Sequence, residues 1–155
     1  MFHINIIAVG KNKEYWVDSP VEHYLTFLQK FADVFMIYVP NIKQSSNLTE
    51  KELRRAEAIN IQKYLKAEYR IALAHTGKSF DSVKFAKYVE NLMLKTGACD
   101  FIIGGIYGLD KAIIESCNDI VSLSPMTMSH QLIRPVLLEQ LFRAFSIISG
   151  SKYHK

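Results

Sequence analysis

Five short apolar runs alternate along the chain with longer stretches whose apolar residues recur every three or four positions. The first run holds Ile4, Ile6, Ile7 and Val9 and stops at Gly10, which predicts a buried strand. Lys11-Asn12-Lys13 follows as a polar turn. Ser19-Pro20-Val21-Glu22 has capping-box form with proline at the first helical position. It predicts a helix from there to about Lys30, with a start near Glu14 as the alternative. Val34 to Val39 is a β-rich run closed by Pro40. Asn41 to Leu48 is polar and loop-like. Thr49-Glu50-Lys51-Glu52 is a second capping box, opening a helix with Ala58, Ile61 and Leu65 at helical spacing. The charges of that helix (Glu50, Lys51, Glu52, Arg54, Arg55, Glu57) predict a solvated face.

The alternation continues in the second half. Tyr69 to Ala74 predicts a third strand and His75-Thr76-Gly77-Lys78 a turn. Phe85, Tyr88, Val89 and Leu92 fall on one helical face, and Gly97 is the expected stop. Cys99 to Ile103 predicts strand four, Gly104-Gly105-Ile106-Tyr107-Gly108 a glycine turn, and Leu109, Ala112 and Ile113 the start of another helix. Ile120 to Leu123 predicts strand five, and a last helix runs from about His130 to Ser149. Strand and helix alternating five times is the pattern of an α/β fold: a mostly parallel sheet with helices on both faces. At 155 residues, one domain over 1–155 is expected. The last helix is apolar around most of its circumference, which suggests cover by a second subunit.

Composition adds mainly exclusions. Hydrophobic residues make up 49% and charged residues 22%, ordinary for a globular chain, and the net charge of +4 is compatible with a nucleic-acid partner without requiring one. No apolar run approaches a membrane span, and the N-terminus reads as a strand rather than a signal peptide. A cytoplasmic protein is expected, so the Asn47-Leu48-Thr49 sequon is discounted and Cys99 and Cys117 are read as reduced thiols. No cysteine–histidine cluster has metal spacing, so no metal is expected. Gly77-Lys78 lacks the phosphate-loop spacing, and the glycine turn lacks the dinucleotide fingerprint. Ser122 and Ser124 have no nucleophile-elbow context, and no paired carboxylates are visible.

What remains is a set of features in the last third of the chain. The glycine turn after a strand lets backbone approach a ligand. Ser124-Pro125-Met126-Thr127-Met128-Ser129 is a loop of hydroxyls and thioethers, suited to a flat ring or a sulfur ligand or, equally, to core packing. His130 and Arg134 are spaced to share a helix face. A buried arginine needs a carboxylate or phosphate partner. Glu139 and Arg143 form a structural i, i+4 pair. The tail Tyr153-His154-Lys155 has the chemistry to stack on a base and hold a phosphate.

Taken in order, these residues resemble the RlmH (YbeA) family of SPOUT-class methyltransferases. The resemblance runs from Ile6-Ile7-Ala8-Val9-Gly10-Lys11 and Tyr15-Trp16 through Gly77-Lys78. It is strongest in Phe101 to Gly105, Gly108-Leu109, Ser122-Leu123-Ser124, Met126-Thr127, His130-Gln131, Arg134, Leu138-Glu139-Gln140, Arg143-Ala144-Phe145 and Tyr153-His154-Lys155. It implies a deep C-terminal trefoil knot, an exception to the rule of unknotted chains, and a homodimer. It also implies S-adenosyl-L-methionine-dependent methylation of N3 of pseudouridine 1915 in 23S rRNA of the assembled ribosome. Carried over by position, the cofactor site comprises Leu73, Gly104 and the run Leu123, Ser124, Pro125, Met126, Thr127 and Met128. His130, Arg134, Tyr153 and His154 are the implied catalytic group: His130 as base, Arg134 on the uracil ring or a phosphate, the tail on the target, in its own or the partner's site. Ala74-His75, Ile106-Tyr107, Ser129 and Pro135 depart from the family pattern. The runner-up is a catalytically silent RNA-binding dimer of the same fold, which S-adenosylmethionine binding would separate from the enzyme.

Overall fold

The computed structural model describes residues 1–43 and 47–155, so part of the expected loop Asn41 to Leu48 lies outside the described residues. The elements in chain order are β1 (His3–Val9), α1 (Tyr15–Leu28), β2 (Asp33–Val39), α2 (Glu50–Tyr64), β3 (Tyr69–Ser79), α3 (Ser82–Lys95), β4 (Ala98–Ile103), α4 (Lys111–Ser116), β5 (Asp119–Ser122) and α5 (Ile133–Ile148). The strands form one sheet in the order β2-β1-β4-β3-β5. Every pairing in it is parallel.

The continuous apolar runs are explained by cover on both faces. Ile4, Ile6 and Ala8 of β1 and Phe101 and Ile103 of β4 point into the larger core, with α1, α3 and α5. Ile7, Val9 and Ile102 point the other way, onto Ala58 and Ile61 of α2 and Ile113 of α4. Among the described residues no helix is long and apolar enough to cross a membrane.

Several local expectations are corrected. α1 starts after Glu14, and Pro20 lies inside it, where its ring removes an amide from the helix ladder. Val17, Val21 and Leu28 are its buried stripe, and this burial begins before Ser19. Packing therefore overrides the local capping signal. The Thr49 box does form: Glu52 N–H donates to Thr49 Oγ1 at 3.2 Å and Thr49 N–H to Glu52 Oε2 at 2.8 Å. Glu57 is not on a solvated face; it is 7% exposed. α3 is stopped by Thr96, whose N–H and hydroxyl both donate to Leu92 O, with Gly97 merely following.

The supposed turn His75 to Lys78 is the interior of a bulged strand. Leu73 and Lys78 both register with Val121, so the residues between them loop out of the ladder. A Cβ on Gly77 would sit 2.7 Å from the carbonyl of Ile120, so the close approach of the bulge to β5 needs glycine.

α5 begins at Ile133, after a turn over 130–132. It packs against both α1 and α3, and every residue from Ile133 to Ile148 is buried or half-buried. Its apolar circumference is thus covered in part within the chain, while Val136, Phe142, Ile147 and Ile148 remain half-buried.

Candidate cofactor cleft

At the carboxyl ends of β3, β4 and β5 the loops enclose a cleft of about 680 Å³. This is where an open parallel sheet leaves room for a ligand, and the volume lies in the range of small-molecule sites. Leu73, Gly104, Leu123, Ser124, Met126, Thr127, Met128 and His130 all line it, so eight of the twelve expected site residues converge from three separate segments. Pro125, Arg134, Tyr153 and His154 do not line it. The bulge residues Ala74, His75 and Thr76 do, together with Ile106 and Tyr107 of the glycine turn and Ile133. The bulge was hidden from sequence reading because a strand that loops out and resumes looks like a strand that ends.

The glycine turn is folded tightly on itself. Gly108 N–H donates to Gly105 O at 3.1 Å, and Gly108 has φ +80°, which favours glycine. A Cβ on Gly104 would lie 2.5 Å from the Gly108 carbonyl carbon. A Cβ on Gly105 would lie 2.7 Å from both carboxylate oxygens of Glu57. These glycines therefore leave room for other parts of the protein, not only for a ligand.

Opposite stands the loop after β5. Its hydroxyls fix its shape: Ser122 Oγ donates to Ser124 O at 2.8 Å, and Met126 N–H donates to Ser124 Oγ at 3.0 Å. Ser129 Oγ accepts from Leu132 N–H at 3.0 Å and Ser129 O from Ile133 N–H at 3.1 Å, turning the chain into α5. Leu73 is buried and Leu123 and Met128 half-buried, while Met126 and Thr127 are exposed. The cleft thus combines an apolar floor with a rim of backbone and hydroxyl groups.

His130 sits at the cleft edge, half-buried. Burial holds its pKa below the usual histidine value, and the positive charges of Arg134 and Lys13 push it the same way. The imidazole is therefore neutral near pH 7, with a nitrogen lone pair available.

Arg134 departs from expectation. It is fully buried, and its partners are neither carboxylate nor phosphate. Its guanidinium donates to Val9 O at 2.7 Å, Gly10 O at 2.8 Å, Asn12 Oδ1 at 3.1 Å and His130 O at 2.9 Å. Gln131 adds to the clamp, donating to Lys11 O and accepting from Lys13 N–H. Arg134 thus ties the end of β1 to the segment carrying His130.

The tail folds back on α5 of its own chain. Tyr153 OH donates to Glu139 Oε1 at 3.1 Å, and its ring packs edge-on against Phe142. Arg143 lies 4.8 Å from the Tyr153 ring centroid, 3.3 Å from His154 Nδ1, and is paired with Glu139. The expected Glu139–Arg143 pair therefore also anchors the tail.

Other chemistries find little support. Burial pushes the Cys99 thiol up to about 12 and raises Cys117 as well, so neither is an activated nucleophile. Among the described residues no group of three potential metal ligands comes together.

Comparison with known proteins identifies the family. Residues 2–154 match the family profile described as "Predicted SPOUT methyltransferase". The chain is 41% identical over 159 aligned residues to Ribosomal RNA large subunit methyltransferase H of Lacticaseibacillus casei, covering 99% of each. It is 36% identical over 151 residues to the protein of that name from Pseudothermotoga lettingae, covering 97% of this chain and 98% of the relative. Among solved structures, a probable methyltransferase from Bordetella pertussis superposes with a TM-score of 0.57 at 16% identity, over 93% of this chain and 96% of the other. A probable methylase family protein from Haemophilus influenzae gives 0.53 at 12%, over 99% and 70%. At these identities the superpositions speak to the fold alone.

Proposed function

The chain belongs to the RlmH family of SPOUT methyltransferases, and on that premise we propose that it methylates N3 of pseudouridine 1915 in 23S rRNA of the assembled ribosome, using S-adenosyl-L-methionine. The observation that carries the reading is the convergence of Leu73, Gly104 and the loop 123–128 on one cleft at the strand ends.

The cleft fits the cofactor chemically. Leu73, Leu123, Met126 and Met128 offer apolar and thioether surface for the adenine ring and the methionine arm. Backbone groups of Gly104 and the loop, with the Ser124 and Thr127 hydroxyls, offer partners for base edges and ribose. When bound, S-adenosylmethionine supplies an electrophilic methyl on a sulfonium sulfur, a chemistry that needs no metal.

The chain's own contribution is positioning and proton handling. His130, neutral and at the cleft edge, accepts the N3 proton. Arg134 and Gln131 hold the segment that carries it. Tyr153 and His154 pack against Glu139, Phe142 and Arg143 in the middle of α5 and do not line their own cleft, which favours a tail acting on the target in the partner's site of a homodimer. The C-terminal trefoil knot is part of the same proposal, with α5 as the threaded element.

Transfer of a labelled methyl group from S-adenosylmethionine to ribosomes lacking this modification tests the reading. Label on that pseudouridine is expected; no transfer to any ribosomal RNA, together with no S-adenosylmethionine binding by calorimetry, would favour the silent RNA-binding dimer.

A further inference from the structure

The glycine turn raises a question that cofactor binding alone does not answer. Gly105 does not have a left-handed backbone, so its conformation does not require glycine. The space its Cβ would occupy is filled by the side chain of Glu57, with both carboxylate oxygens 2.7 Å from that point. Glu57 comes from α2 and does not line the cleft. It is 7% exposed and lies beside the smaller apolar core of Ala58, Ile61 and Ile113. The Gly105 N–H donates to its carboxylate. A buried carboxylate in apolar surroundings is costly unless hydrogen-bonded, and burial does raise its pKa.

From this geometry we infer that Glu57 is a positioning residue of the cofactor cleft: its carboxylate holds the Gly105 N–H and thereby sets the position of the Gly104–Gly108 wall. The inference rests on the cofactor reading given above and names a residue that lies outside the cleft lining. The physical logic is that of a strut. Gly104 is pressed against the Gly108 backbone, so the turn moves as a unit. A contact from α2 that fixes it therefore decides where its cleft-lining backbone stands.

The test uses the full-length protein and S-adenosylmethionine as the probe, read by calorimetry, with methylation kinetics alongside. Glu57→Leu removes the acceptor and is expected to weaken S-adenosylmethionine binding roughly ten- to a hundred-fold, raising KM for the cofactor while kcat at saturation changes little. Glu57→Gln keeps an acceptor oxygen and should restore binding to within a few-fold of wild type. Gly105→Ala should weaken binding on its own, and should cost much less in a Glu57→Ala background, because the clash it creates is with that carboxylate. Non-additivity in ligand affinity is a signature that a purely stabilising residue would not give.

If Glu57→Leu and Glu57→Gln bind S-adenosylmethionine as wild type does, whatever happens to their thermal stability, the inference is wrong. Equal and additive losses for Gly105→Ala in both backgrounds would also overturn it. Absence of binding by the wild-type protein would instead sink the cofactor reading on which it rests.

Discussion

Arg134 and His130 show how far residue types alone can be read. That an arginine in an apolar helix must have partners was legible from its chemistry, but their identity was not: carbonyls of Val9 and Gly10 are brought to it by a contact more than a hundred positions away in sequence. Truncation of a fully buried guanidinium would leave those acceptors unpaired. Arg134→Met should therefore cost about 3 kcal/mol or more, seen as a melting temperature lowered by roughly 6–12 °C. A wild-type melting curve with lost turnover would instead return Arg134 to direct catalysis. For His130 the sign follows from the direction of its shift. The base must be neutral, and its pKa is lowered, so turnover should be level through neutral pH and fall only as pH drops through a value below the usual 6.5 or so. His130→Gln should reduce kcat by on the order of a hundred-fold or more and remove that acid limb from the pH–rate profile.

At the scale of elements, alternation of apolar runs located all five strands, because strands covered on both faces carry a signal that needs no partner information. Boundaries were less legible. The cap at Ser19 does not start α1, which begins at the alternative near Glu14 because burial of Val17 outweighs a local cap. The bulge in β3 was invisible because its cause, the approach of Gly77 to Ile120, lies on another strand. The same reason hid Glu57, whose role depends on the glycine turn that meets it. Two substitutions separate stability from site geometry. Thr49→Ala removes the capping box of α2 and should cost about 1 kcal/mol, leaving S-adenosylmethionine affinity within a few-fold. Gly77→Ala forces the bulge away from β5 and, since the bulge lines the cleft, should lower both thermal stability and cofactor affinity. Calorimetry on the two proteins side by side checks this; equal affinities would mean that the bulge does not shape the cleft.

For the whole molecule, the proposed function draws on residues that lie apart within one chain. The cleft and His130, the proposed base, meet just before α5, while Tyr153 and His154 are moored to Glu139 and Arg143. A tail that serves the partner's cleft predicts complementation. Mixing His154→Ala with Leu123→Arg, each inactive alone, should recover turnover through hybrid dimers that contain one complete site. No recovery despite hybrid formation would place the tail in its own chain's site. The knot is an expectation from family resemblance alone, since it leaves no mark on periodicity; a second subunit is suggested both by the resemblance and by the apolar circumference of the last helix. The central claim, methylation of one ribosomal pseudouridine at N3, is tested most directly by mass spectrometry of 23S rRNA from a strain lacking this protein. The account predicts that this pseudouridine lacks its methyl group there and regains it when the protein is restored. A pseudouridine still methylated at N3 in the deletion strain would contradict it.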